Sequence, residues 1–180
     1  MRNALDNAVT LLQQDQKAKF TPELKSPSVK MPFDGCSQED YALKLVEEYK
    51  AAGIPAGNVW AQSFNLDDVL YWINNKPAFG KQAIYLDGCY SSGIDSNDLA
   101  TFRPSMEDFK DMSVGYIAPP MWMLVTVEGG GFVPSAYTKS AKAVGLTYHL
   151  DTRTLRPTAK WRRLVLSVHQ RDDEQQRCDA

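Results

Sequence analysis

Residues 59–73 read VWAQSFNLDDVLYWI, and this stretch decides the fold class. Its first part is rich in Val, Trp and Phe, which is typical of a β-strand. Asn65 then has the character of a helix N-cap. The apolar residues that follow recur at helical spacing, at Leu66, Val69, Leu70 and Ile73. A strand that passes directly into an amphipathic helix is the repeating unit of α/β proteins.

The same strand–helix unit recurs on both sides of this stretch. We predict strands over 20–25, 58–64, 82–86 and 114–118, and helices over 39–52, from Asn65 to Pro77, after Ser105, and from Pro134 to Val144. Ser37 and Asp40 have the spacing of a capping box, Ser105 and Asp108 open a short helix, and Gly145 closes the last helix. Four units in a row indicate parallel strands joined by crossover helices. Both a doubly wound sheet and part of a (β/α) barrel have this pattern. No glycine-rich phosphate-binding loop follows a strand, and we interpret residues 129–131 as a flexible loop.

Composition excludes several classes of protein. The chain has 180 residues, with 20 Lys and Arg against 22 Asp and Glu, which gives a formal net charge of −2 and argues against nucleic-acid binding. No apolar run approaches the ~18 residues that a membrane span needs, and residues 1–10 do not resemble a signal peptide. Cys36, Cys89 and Cys178 lie too far apart for a metal motif and allow one disulfide at most, so the compartment stays open.

The first candidate site is the extended segment 20–25. Glu23 and Lys25 are two residues apart, so their side chains point to the same face as that of Thr21. A carboxylate beside an ammonium can serve a cation and a phosphate oxygen together. The alternative is a surface ion pair on an edge strand, which Pro22 favours.

Other candidates follow later strands. Gln62 and Ser63 end one predicted strand and Asp87 ends another, although such residues are more often structural. The apolar stretch Met121–Leu124 could line a lipid or sugar pocket or pack beneath a loop. No histidine precedes His149, so a Ser-His-Asp or Cys-His nucleophile cannot be built upstream of it.

Three segments, TPELKSP (21–27), VWAQSFNLDDVLYWI (59–73) and APPMWMLV (118–125), together resemble the glycerophosphodiester phosphodiesterase family. The similarity is greatest to the larger secreted type of bacterial and fungal members, and it covers residues 5–147. It implies part of a TIM (β/α)₈ barrel of about four βα units, the family's strands three to six. It also implies hydrolysis of small glycerophosphodiesters to glycerol 3-phosphate and an alcohol, with a divalent metal, Mg²⁺ or Ca²⁺, and a pair of histidines.

The resemblance also assigns roles to individual residues. It makes Glu23 a metal ligand, places Lys25 near the substrate phosphate, and places Gln62 and Trp122 in the lining of the pocket. The family's histidine strand and its other metal carboxylates would precede Met1, so no catalytic residue is identifiable. We therefore expect a truncated, inactive enzyme that self-associates through exposed sheet edges. The alternatives are a non-catalytic half-barrel remnant, a weak binding module, or an unrelated doubly wound α/β enzyme.

The last segment, 148–180, does not resemble the family. Shifted by one base, codons for residues 148–156 can encode ITWTLERSG, the family's next strand and loop. We interpret 148–180 as a frame-shifted translation that forms a disordered tail after a 1–147 barrel segment. His149 and His169 are then not expected to be catalytic.

Overall fold

The structure is a computed structural model that describes residues 9–10, 18–88 and 93–149, where short strands alternate with helices. The α-helices are α1 (Gln38–Ala51), α2 (Leu66–Asn75), α3 (Pro77–Gly80), α4 (Met106–Asp111) and α5 (Ala136–Val144). The strands are β1 (Glu23–Leu24), β2 (Gln62–Ser63), β3 (Ile84–Tyr85), β4 (Tyr116–Ile117), β5 (Val125–Glu128), β6 (Gly131–Pro134) and β7 (Thr147–Tyr148).

Five of the strands form one sheet, in the order β1-β2-β3-β4-β7. Strand β2 pairs in parallel with both β1 and β3. Because parallel neighbours need a crossover connection, helices occupy the sequence between these strands. The predicted α/β class with a parallel sheet is therefore confirmed. The strands are shorter than predicted, although a further parallel bridge between Phe20 and Val59 extends the β1–β2 pairing.

The chain divides into two compact units. Among the described residues, the first contains 9–10, 18–85 and 113–116, and the second contains 86–88, 93–112 and 117–149. Each unit has its own buried apolar side chains. Those of the first include Leu24, Leu45, Val46, Val59, Trp72 and Ile84. Those of the second include Leu86, Met106, Phe109, Ile117, Met123 and Tyr137. No described helix combines the length and the apolar character of a membrane span.

The helix ends are closed by the residues that the sequence indicated. Ser37 and Asp40 form a reciprocal capping box at the start of α1, and Ser105 and Asp108 form another at α4. Gly145 ends α5 in the left-handed conformation, with φ of 86°, which glycine adopts without steric cost. These three predictions are confirmed.

Residues 125–134 differ from the prediction. Residues 129–131 are not a flexible loop, since β5 and β6 form an antiparallel hairpin around them. Gly129 and Gly130, with φ of 57° and 81°, make its tight turn. Pro134 does not open the last helix. It pairs with Val125 in the hairpin, and Ser135 is the N-cap of α5 instead.

The buried side of α2 also differs from the prediction. The buried residues are Asp68, Val69 and Trp72, whereas Leu66, Leu70 and Ile73 are only half-buried. The Trp72 indole explains why this side of α2 faces the interior, because its Nε1 donates a 2.9 Å hydrogen bond to the Ala42 carbonyl of α1. A large aromatic side chain with a satisfied polar group buries more apolar surface than a leucine does.

The predicted tail lies almost wholly outside the described residues, as do Cys89, Cys178 and His169. Its first residue, Tyr148, lies in β7, and the amide of His149 donates a 2.9 Å hydrogen bond to the Ile117 carbonyl. The boundary at residue 147 and the frame-shifted origin of 148–180 stay predictions.

Candidate functional site

Glu23 and Lys25 form an ion pair on the first strand of the sheet. Lys25 Nζ lies 2.8 Å from Glu23 Oε1. The Glu23 side chain is only 13% exposed, whereas that of Lys25 is 65% exposed, so the carboxylate is held against the protein and the ammonium faces solvent. Leu24 between them is buried on the opposite side. β1 is terminal in the sheet order of the described residues, as the edge-strand alternative requires. The roles of Glu23 at a metal and of Lys25 at a phosphate stay predictions.

Gln62 lies beside Glu23. The two residues are paired in the β1–β2 register, and Gln62 is in turn paired with Ile84 of β3. Residues paired across neighbouring strands project to the same face. Glu23 and Gln62 each lie one residue before the carboxyl end of a parallel strand, close to the edge of the sheet where α/β proteins place their sites. The structure therefore brings together three of the four predicted site residues, Glu23, Lys25 and Gln62.

Ser63, the other candidate at the end of β2, projects to the opposite face and is structural. Its Oγ donates a 2.8 Å hydrogen bond to Asp68 Oδ2 and accepts a 3.0 Å bond from the Asn65 amide. Asp68 Oδ1 also accepts from Gln38 Nε2 at 2.7 Å. Asp68 is 2% exposed, and its burial raises the pKa of the carboxyl above the usual value. This network joins the starts of α1 and α2 to the end of β2.

Sequence reasoning missed Asp68. Its position in the first turn of a helix, three residues after the N-cap Asn65, is where an acidic residue ordinarily faces solvent. The only signal was Ser63 five residues earlier, at the end of a strand.

Asp87 lies in the second unit and is 5% exposed. Its Oδ2 accepts a 2.6 Å hydrogen bond from the hydroxyl of Tyr137, which is itself 1% exposed. The Tyr137 ring packs edge-on against Phe102, with centroids 5.3 Å apart. Because both partners are buried, this hydrogen bond is a structural contact of Asp87 within the second unit.

Trp122 lies in a 3₁₀ turn, Met121–Leu124, of the second unit, and it is half-buried. Met123 beside it is fully buried. Ser135 Oγ donates to the Met123 carbonyl, and Thr138 Oγ1 donates to the Leu124 carbonyl, each at 2.6 Å. This turn is therefore attached to the start of α5, which is a helix and not the loop that the packing alternative named. The role of Trp122 in lining a pocket stays a prediction.

The described residues do not by themselves fit a divalent metal. Hard cations such as Mg²⁺ and Ca²⁺ take six or more oxygen ligands, usually from several carboxylates and carbonyls. Glu23 offers one carboxylate, and Lys25 occupies one of its oxygens. No group of three or more His, Cys, Asp or Glu side chains that could hold a metal ion occurs within 9–10, 18–88 and 93–149.

No protein-family model matches the chain. The chain is 36% identical over 130 residues to a protein of Arthroderma benhamiae named "Extracellular protein". The alignment covers 71% of this chain but 52% of that protein, so the chain spans about half the length of the curated relative it matches.

Proposed function

We propose that the chain is the central part of a glycerophosphodiester phosphodiesterase-like (β/α) barrel. The whole protein would hydrolyse small glycerophosphodiesters to glycerol 3-phosphate and an alcohol, with the help of a divalent metal. The observation that supports this proposal is the shared face of Glu23 and Gln62, with Lys25 paired to Glu23, close to the carboxyl ends of parallel strands. The three sequence segments that resemble the family suggest the class of substrate.

Lys25 carries the part of this function that the described residues can perform. Its exposed ammonium contacts a phosphate oxygen of the substrate, while Glu23 orients it through their 2.8 Å contact. Gln62, in register with Glu23, offers an amide donor to the same ligand. The acid, the base and the remaining metal ligands of the proposed enzyme are not among these residues. We therefore expect this chain to bind a glycerophosphodiester weakly without hydrolysing it.

The test measures binding and cleavage separately. Glycerophosphocholine is titrated into the full chain by calorimetry, and its cleavage is followed by phosphorus NMR with Mg²⁺ or Ca²⁺ present. We expect Lys25→Ala to weaken binding about 10-fold or more, since a charge-assisted hydrogen bond contributes about 1.5–3 kcal/mol.

Lys44→Ala is the matched control. Lys44 pairs with Glu48 at 2.5 Å on α1, and its side chain is 67% exposed, close to the 65% of Lys25. Equal binding by both variants would refute the phosphate-binding role of Lys25. Metal-dependent cleavage by the unaltered chain would show an active enzyme and overturn the expectation that it only binds.

We also propose that the protein acts outside the cell, because its Arthroderma benhamiae relative is named an extracellular protein. Peptides of this chain should then be enriched in culture medium over washed cells by mass spectrometry. Recovery only from cells would contradict this location.

A further inference from the structure

The β5–β6 hairpin exposes an apolar face. Its register pairs Val125 with Pro134 and Val127 with Phe132, so these four side chains project to one side. We call them the hairpin face. Val125 is 40% exposed, Val127 56% and Phe132 69%, the last being the most exposed large hydrophobic residue described. Pro134 is exposed as well.

The opposite side of the hairpin is held by the second unit. It carries Thr126 and Val133, which form the intervening pair and are half-buried. Thr126 Oγ1 accepts a 3.2 Å hydrogen bond from Asn97 Nδ2. The hairpin is therefore fixed on one side, and the exposed apolar residues occupy the other.

The size of the hairpin face limits what can cover it. Its exposed side chains present on the order of 300 Å² of apolar accessible surface. A stable protein–protein interface needs about 800 Å² from each partner. A second copy or a folded partner would therefore gain too little from this face for a stable complex. A lipid surface needs no matching partner area, because apolar side chains beside a turn can enter the headgroup boundary singly, with reversible affinity.

The charge of the hairpin indicates which type of lipid surface it can contact. Residues 125–134 contain one charged side chain, Glu128 at the turn, and no Lys or Arg. The whole chain has a net charge of −2. Anionic headgroups would repel this tip, whereas attraction to anionic lipids ordinarily needs a basic patch. We propose that the hairpin face docks reversibly on a zwitterionic phospholipid surface. This inference uses none of the residues of the Glu23–Lys25 site and does not rest on the proposed enzyme.

Vesicle co-flotation tests the inference with the full chain. Phosphatidylcholine vesicles are titrated to millimolar lipid, and the bound fraction is measured for the unaltered protein and for Phe132→Ser. We expect the partition coefficient to fall about tenfold in the variant, because Phe132 contributes the largest exposed area. Phe33→Ser is the matched control, since Phe33 is 56% exposed but lies in the first unit. It should leave partitioning within about twofold. Circular dichroism checks that both variants remain folded.

Four outcomes would overturn the proposal. The first is no partitioning of the unaltered chain, and the second is an equal loss for Phe33→Ser and Phe132→Ser. The third is binding that increases with phosphatidylserine content and disappears in salt, which would indicate electrostatic attachment. The fourth is a dimer, seen by sedimentation without lipid, that Phe132→Ser dissociates, which would make a second copy the occupant.

Discussion

Asp68 and Asp87 are both buried carboxylates, 2% and 5% exposed, but the two units hold them in different ways. Two of the donors to Asp68 lie within five residues of it, at Ser63 and Asn65, and the third, Gln38, is 30 residues away. The hydroxyl donor to Asp87 is Tyr137, 50 residues away. The first carboxylate thus fixes a local junction of strand and helix ends, whereas the second depends on the docking of a distant helix.

The largest effect is expected from Asp68→Ala. The substitution leaves the Ser63 hydroxyl, which is buried, without its acceptor, and it also removes the contact to Gln38. Hydrogen bonds to charged groups contribute about 1.5–3 kcal/mol each, part of which is offset because a desolvated carboxylate is removed. We expect the free energy of unfolding to fall by about 3 kcal/mol, measured by urea denaturation.

Asp67→Ala is the control for this measurement. Asp67 is the preceding residue in the first turn of α2 and is exposed. Its loss should cost well under 1 kcal/mol, in line with other exposed positions. Equal destabilisation by the two substitutions would mean that helix-end charge, and not the buried junction, explains the result.

A smaller effect is expected at the other carboxylate. Tyr137→Phe removes the 2.6 Å hydrogen bond to the buried Asp87 and should lower the free energy of unfolding by about 2 kcal/mol. Tyr148→Phe removes a hydroxyl bond of the same length, from Tyr148 to the Thr138 carbonyl, a neutral acceptor. That change should cost about 1 kcal/mol. If thermal or urea unfolding shows Tyr148→Phe to be the costlier change, the acceptor's charge is not what strengthens the Tyr137 bond.

The same contrast explains how much of the fold could be predicted from the sequence. Features set by neighbours along the chain were predictable, such as the Ser37–Asp40 capping box and the end of α5 at Gly145, because each needs only local spacing. The α/β order was predictable for the same reason. The buried side of α2 was not, since it depends on the reach of Trp72 to the Ala42 carbonyl, 30 residues away.

In the candidate site, too, the features that depend on local spacing were predictable and those that depend on distant residues were not. The shared side of Glu23 and Lys25 follows from strand alternation alone. The neighbouring position of Gln62 requires the β1–β2 register, which spacing along the chain does not determine. The hairpin was missed because residues 125–134 lie between Pro-Pro and a helix, and the three glycines were interpreted as a loop where Gly129 and Gly130 form a tight turn.

The smallest predicted effect is a pH dependence of stability that runs in opposite directions for Asp68 and Asp40. Burial raises the pKa of Asp68 above its ordinary value of 3.8, so the folded state binds that proton more tightly than the unfolded state does. The part of Asp68's contribution to stability that depends on its protonation is therefore complete below pH 3.8 and is lost as the pH rises through the folded pKa, whereas its hydrogen bonds to Ser63 and Gln38 persist. The stability of the unaltered protein minus that of Asp68→Asn should fall as the pH increases from 3.5 to about 7.

Asp40→Asn should show the opposite trend. Hydrogen bonds from the Ser37 side chain and backbone lower the pKa of the exposed Asp40 carboxyl below 3.8. Its contribution is therefore present above pH 3.8 and is lost as the pH falls through the folded pKa, so the corresponding difference should increase with pH. Urea denaturation of the three proteins at each pH measures both trends. Parallel trends in the two variants would mean that burial does not govern Asp68, and that its three hydrogen bonds favour the ionised carboxylate more than desolvation opposes it.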